Sequence, residues 1–129
     1  IADPRYKLEL YRRFAGLDYG EKDDLLDEII DRFGEPPEEV EVLWRVACLR
    51  ALCRLLHIRG ISVKPGELRI TFAENAAIDP TALMQLISEQ QQYMNFKSGV
   101  QAQLIFRTVK LKTDSLTWLE KNLPRLAFD

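Results

Sequence analysis

The stretch from Glu21 to Pro37 leaves a folding chain few choices. Leu25, Leu26, Ile29, Ile30 and Phe33 recur at helical spacing and centre on one side of a helix. Asp24, Asp27, Glu28 and Asp31 recur at i, i+3, i+4 and i+7 and centre on the opposite side. Burying the apolar stripe requires none of these acids. Like charges at such spacings oppose the helix by a few tenths of a kcal/mol per pair. Gly34 then suits a left-handed cap, and Pro36-Pro37 forbids continuation. The segment therefore predicts a helix with a greasy side, an acid side and a fixed end.

The rest of the chain falls in place around it. Asp3-Pro4 reads as an N-cap followed by proline at the first helical position. That helix runs to about Ala15, with Tyr6 or Leu8, Tyr11, Phe14 and Ala15 as its stripe, and Gly16 stops it. After Pro37 a long helix is expected from Glu38 to His57. Val42, Leu43, Val46, Ala47, Leu49, Leu52, Leu55 and Leu56 wrap most of it, which marks a central core helix. Ile58 to Lys64 and Glu67 to Ala73 alternate with period two across a Pro65-Gly66 turn, giving a hairpin with Ile61 and Val63 on one face and Leu68, Ile70 and Phe72 inward. Asp79-Pro80 opens a helix with Leu83, Leu86 and Ile87 as its stripe. Tyr93 to Lys97 and Gln101 to Leu111 form a second hairpin. Thr113-Asp114-Ser115 caps a last helix built on Leu116, Leu119 and Leu123, ended near Pro124. The fold class is α+β: three N-terminal helices, two β-hairpins in a small antiparallel or mixed sheet, an intervening helix and a C-terminal helix.

At 129 residues a single domain over 1–129 is the default. The chain starts at Ile1, as a fragment of something longer would. Net charge is −2, which disfavours a general binder of nucleic acid or anionic membrane. No apolar run approaches the roughly 20 residues that cross a bilayer. Cys48 and Cys53 lie on different helix faces and read as two buried, reduced thiols. One histidine and two cysteines make no standard zinc site. No phosphate-cradling glycine loop and no nucleophile motif is present, so no catalytic residue is assigned.

Two basic groupings have both a bland and a sharp reading. Arg50, Arg54 and His57 fall on one line at i, i+4, i+7: a solvated edge with His57 near the negative end of its helix, or a phosphate or partner contact. Lys97, Arg107, Lys110 and Lys112 accompany Tyr93 and Phe96: core aromatics with solvated cations, or a surface for single strands.

At Glu28, Asp31-Arg32-Phe33-Gly34 and Pro37 the chain resembles the C-terminal (TRCF) domain of bacterial transcription-repair coupling factors. Arg5 to Arg13, Leu49-Arg50, His57 to Ile61 and Ile70-Thr71-Phe72-Ala73 extend the likeness, which fades after about Leu86. The doubled Pro36-Pro37 departs from the family pattern, and the last segment is weakly matched. The resemblance implies a non-catalytic regulatory domain of a cytoplasmic bacterial DNA translocase. ATP would belong to an upstream motor, with no cofactor here. It implies a monomer that docks, within its own chain, on the N-terminal domain that receives the damage-recognition ATPase UvrA. That contact would restrain the translocase until it engages stalled RNA polymerase on DNA. Glu28 and Asp31, with Asp24 and Asp27 beside them, would carry the docking. Arg32, Phe33, Gly34 and Pro37 read as structural, and Arg32 is placed to pair with Glu28 four residues back. The alternative is an accessory nucleic-acid-binding module.

Overall fold

The computed structural model describes residues 4–111 and 113–128, and only the backbone of Pro4 and Lys110. The expected cap at Asp3, and Lys112, lie outside it. Five helices and four strands follow in the order α1 (Pro4–Ala15), α2 (Lys22–Phe33), α3 (Glu38–Leu56), β1 (Ile58–Lys64), β2 (Glu67–Phe72), α4 (Pro80–Glu89), β3 (Met94–Lys97), β4 (Gln103–Arg107) and α5 (Ser115–Asn122). The expected α+β class and both hairpins are present. Short 3-10 turns at Tyr19–Glu21, Thr108–Lys110 and Leu123–Leu126 complete the chain. Two compact units divide it, Ile1–Leu52 and Cys53–Asp129.

The first unit is helical. Leu10, Phe14, Leu17, Leu25, Ile29, Val40, Ala47, Cys48 and Ala51 form its core. In α2 the expected stripe is the buried one, led by Ile29 at 1% exposure. In α1 the stripe is not the expected one. Leu10 and Phe14 are buried, whereas Tyr6, Leu8, Tyr11 and Ala15 are exposed. Leu17, past the helix end, is buried in the same core as Leu10 and Phe14. Tyr6 still meets Phe33 edge-on, at 5.4 Å between ring centroids. Helix α3 is likewise one-sided rather than wrapped. Val42, Leu43 and Leu55 are exposed, and small Ala47 and Ala51 face inward. The Trp44 indole donates to the Lys22 carbonyl at 3.1 Å, tying α3 to the start of α2.

Gly34 ends α2 with its N–H donating to the Ile30 carbonyl at 2.8 Å. Its φ is +76°, as expected, but its ψ of −165° lies outside the left-handed helical region. The chain leaves extended, in a region open essentially to glycine alone, toward Pro36-Pro37. At the other end of α3 the helix stops at Leu56. His57 takes a positive φ of 55° and, rather than extending the helix, turns the chain into β1.

The second unit is built on a four-stranded antiparallel sheet of order β1-β2-β4-β3. Strand β2 alternates without a fault: Leu68, Ile70 and Phe72 are at most 3% exposed and Glu67, Arg69 and Thr71 are half-buried. Leu104 and Phe106 of β4 continue the buried face. On β1, an edge strand of the sheet, Val63 is 57% exposed although it sits opposite Leu68. The second hairpin arm is shorter than expected. Glu67 pairs with Arg107 at the end of β2. Beyond it no strand remains to pair with, and Thr108 donates instead to the Gly66 carbonyl at 3.0 Å.

Asp79 and Asp114 cap α4 and α5, accepting from Thr81 and Thr117 backbone N–H groups at 3.0 and 2.7 Å. The C-terminal core is larger than Leu116, Leu119 and Leu123. Trp118 packs on Phe106 at 4.8 Å between centroids. Leu126, in the turn beyond Pro124, is fully buried, and its carbonyl accepts from the Asp79 N–H at 2.8 Å. Both cysteines are free thiols; Cys48 is buried and Cys53 half-buried. Burial pushes the Cys53 thiol up to about 11, against a smaller opposing pull from Arg54, so it is poorly reactive at neutral pH.

Truncating Ile29 or Leu68 to alanine should each lower stability by about 2–5 kcal/mol, read from urea denaturation. Val63→Ala, on the same sheet face as Leu68, should change it by less than about 0.5 kcal/mol.

Candidate functional site

At 100° per residue the four acids of α2 fall within about 100°, opposite Ile29 and its neighbours, with Glu28 at one edge, about 40° beyond Asp24. Their side chains nevertheless divide into two groups. Asp24, Asp27 and Asp31 are exposed, and none has an ion-pair partner among the described residues. Glu28 is half-buried and grips Arg13 of α1 with both carboxylate oxygens.

That grip belongs to a four-charge lattice. Helix α1 supplies Glu9 and Arg13, and α2 supplies Glu28 and Arg32, each pair four residues apart. Arg13 bonds Glu28, and Arg32 bonds Glu9 at 3.0 Å. The two helices run antiparallel here, so the first acid of one meets the second base of the other. The expected Glu28 to Arg32 pair along α2 does not form as a bond. Arg32 reaches across to α1 and also lies 5.2 Å from the Phe33 ring centroid and 5.9 Å from that of Tyr6. Glu28 therefore does have a structural reason to be acidic, unlike the three aspartates. The Arg13 guanidinium, bonded to it, holds the Glu28 carboxyl below the usual carboxylate range, with the charge of Arg32 adding to the effect. Glu9 does the same service for Arg32, raising the arginine.

The described members of the two basic groupings are only partly brought together. His57 leaves the helical line of Arg50 and Arg54, because its positive φ ends the helix. Its Nδ1 lies 2.9 Å from the Asn75 carbonyl, to which it donates. Arg50 and Arg54 are exposed on α3. In the second hairpin, Phe96 and Lys97 point to opposite faces. Phe96 lies opposite buried Leu104 and against Phe72, at 6.5 Å, while Lys97 is exposed. The Arg107 guanidinium donates to the Gln92 carbonyl at 2.7 Å. Phe96 and Lys97 are thus kept apart, while Tyr93 and Arg107 line one cavity with Phe106. Among the described residues no three His, Cys, Asp or Glu side chains are grouped to hold a metal, and no helix is long and apolar enough to cross a membrane.

The fold places the chain in a recognisable class. It superimposes on a solved structure titled "Crystal structure of C-terminal domain of transcription-repair coupling factor" with a TM-score of 0.73, covering 98% of this chain and 84% of that one at 22% identity. The sequence carries the assignment further. Residues 1–83 match the family model described as the TRCF domain. The chain is 37% identical over 89 residues to the transcription-repair-coupling factor of Bacillus subtilis, covering 67% of this chain. It is 30% identical over 92 residues to that of Myxococcus xanthus, 70% of this chain, and 28% identical over 127 residues to that of Escherichia coli, 98% of this chain. The chain belongs to the TRCF domain family. It spans 8% of the length of the first two relatives and 11% of the third.

The depressed Glu28 carboxyl makes the lattice sensitive to acid. A carboxyl lowered on folding adds stability above its unfolded value and loses it as pH falls through the folded one. The Glu28 contribution should therefore be complete at neutral pH and vanish below the ordinary carboxylate range. Carboxyl-detected NMR titration should show Glu28 returning to an ordinary carboxylate value in Arg13→Ala.

Proposed function

We propose that this chain is the C-terminal regulatory domain of a transcription-repair-coupling factor. In this reading it docks through the acid side of α2 on a basic face of the UvrA-receiving domain of the same protein. The observation that carries the reading is the aspartate stripe: three exposed carboxylates, opposite the buried side of their helix, without partners among the described residues. Family membership supplies the context. The docked state would keep a DNA translocase restrained until RNA polymerase is engaged. No step of catalysis is assigned to the domain, and ATP would be used by the upstream motor.

Charge complementarity of this kind contributes specificity and encounter rate more than raw affinity. That suits a clamp that must open. Within one chain the tether supplies an effective concentration of the order of mM for a short linker, so each aspartate need add little. Glu28 enters differently from Asp31. A partner's cation must share it with Arg13, whereas Asp31 is unencumbered.

Titrating this domain with the separated UvrA-receiving domain at low salt tests the assignment. Asp31→Lys should weaken binding about tenfold or more, since it sets like charges together. Glu28→Gln should weaken it less, and Arg13→Ala should tighten it by releasing Glu28 and removing a like charge. Unchanged affinity in an Asp24, Asp27 and Asp31 triple lysine variant would overturn the docking face.

A further inference from the structure

A second site lies in the second unit, among the end of α4, the end of β4 and α5. A cavity of about 330 Å³ opens there, within the range of about 300–1,000 Å³ typical of small-molecule pockets. All of its lining residues fall between Glu89 and Arg125, beyond the segment matched by the family model.

The wall chemistry is specific. Tyr93, Phe106, Leu111 and Trp118 give it an aromatic and aliphatic side. Trp118 is 6% exposed and packs on Phe106, which fixes its ring in the wall.

Three cations and one acid line the same cavity. Arg125 and Glu89 neutralise each other through a two-pronged bond, at 2.9 and 2.5 Å. Each shifts the other toward its charged form. Arg125 is further fixed by Asn122, whose Oδ1 accepts from it at 3.1 Å. Asn122 is itself buried and bonds the Trp118 carbonyl at 2.9 Å. This is a rigid floor, not a free charge. Arg107 and Lys121 remain. Arg107 spends one N–H on the Gln92 carbonyl, out of the five donors of a guanidinium. Lys121 is exposed and has no partner among the described residues. The site thus offers two uncompensated positive charges beside a ring-lined wall.

We propose that this cavity binds a small aromatic anion, a flat ring carrying a phosphate, of nucleoside-monophosphate size. The ring lies along the Tyr93 and Trp118 side, and the phosphate is met by Arg107 and Lys121. The two cations are needed together because one exposed ion pair in water is weak, whereas charge-assisted hydrogen bonds from a guanidinium and an ammonium reinforce each other. The proposal is independent of the docking face on α2.

Isothermal titration of the 129-residue chain with adenosine 5′-monophosphate, adenosine and inorganic phosphate tests it. The monophosphate should bind at least about tenfold more tightly than either fragment, since both halves of the site are then used. Arg107→Gln with Lys121→Gln should lose about tenfold in affinity, while Lys64→Gln with Lys97→Gln, the same charge change elsewhere in the unit, should leave binding intact. Phosphate binding as tightly as the monophosphate, no binding by the monophosphate, or equal losses in both double variants would each overturn the proposal.

Discussion

Everything said about the acids of α2 depends on which way that helix is held, and the burial of Leu25 and Ile29 decides it. These two side chains, 4% and 1% exposed, fix the rotation of the helix about its axis. Fully burying an aliphatic side chain contributes about 1.5–3 kcal/mol, several times what an exposed ion pair contributes. Packing therefore sets the orientation, and the charges take whatever positions remain. Asp24, Asp27 and Asp31 end up facing water. Glu28 and Arg32 end up on the flank that meets α1. The exit at Gly34 then limits how far the acid side extends, because the backbone there leaves the helix through a conformation closed to other residues.

The second unit rests on a different constraint, the two-residue period of a strand. Strand β2 is paired on both sides, and its Leu68, Ile70 and Phe72 must all lie on one face. Leu104 and Phe106 meet that face from β4, and Trp118 covers Phe106 from α5. The same alternation leaves Arg107 exposed at the end of β4, where it lines the rim of the cavity beside α5. The acid side of α2 and the cavity beside α5 thus arise from two kinds of periodicity, in two units of the chain.

Much of this was legible in the residues. Period and caps placed the five helices, both hairpins and the acid side of α2, and the motif from Glu28 to Pro37 pointed to the family. What escaped had physical causes. Tyr6, Leu8 and Tyr11 fit helical spacing, but the buried side of α1 is that of Leu10 and Phe14, joined by Leu17 from beyond the helix end. Val63 alternates correctly, yet it is exposed on an edge strand. Leu126 was passed over because Pro124 ends the regular helix, although a 3-10 turn carries the chain on into the core. The Glu28 to Arg13 bond depends on the register of two helices joined by a loop, which local spacing does not report. In retrospect, an acid and a base four residues apart on each of two neighbouring helices was the available signal. The strand order and the cavity beside α5 depend on long-range packing and had no local trace.

The four-charge lattice also proofreads the pairing of α1 with α2. Glu9 meets Arg32 and Arg13 meets Glu28 in one antiparallel alignment only. Slide α2 by one turn in one direction and Arg13 faces Arg32. Slide it the other way and Glu9 faces Glu28. Each misalignment juxtaposes like charges. The pairs add little to the depth of the native well, but they raise its nearest neighbours on both sides. The positions of the three exposed aspartates along α2 are fixed by the same alignment.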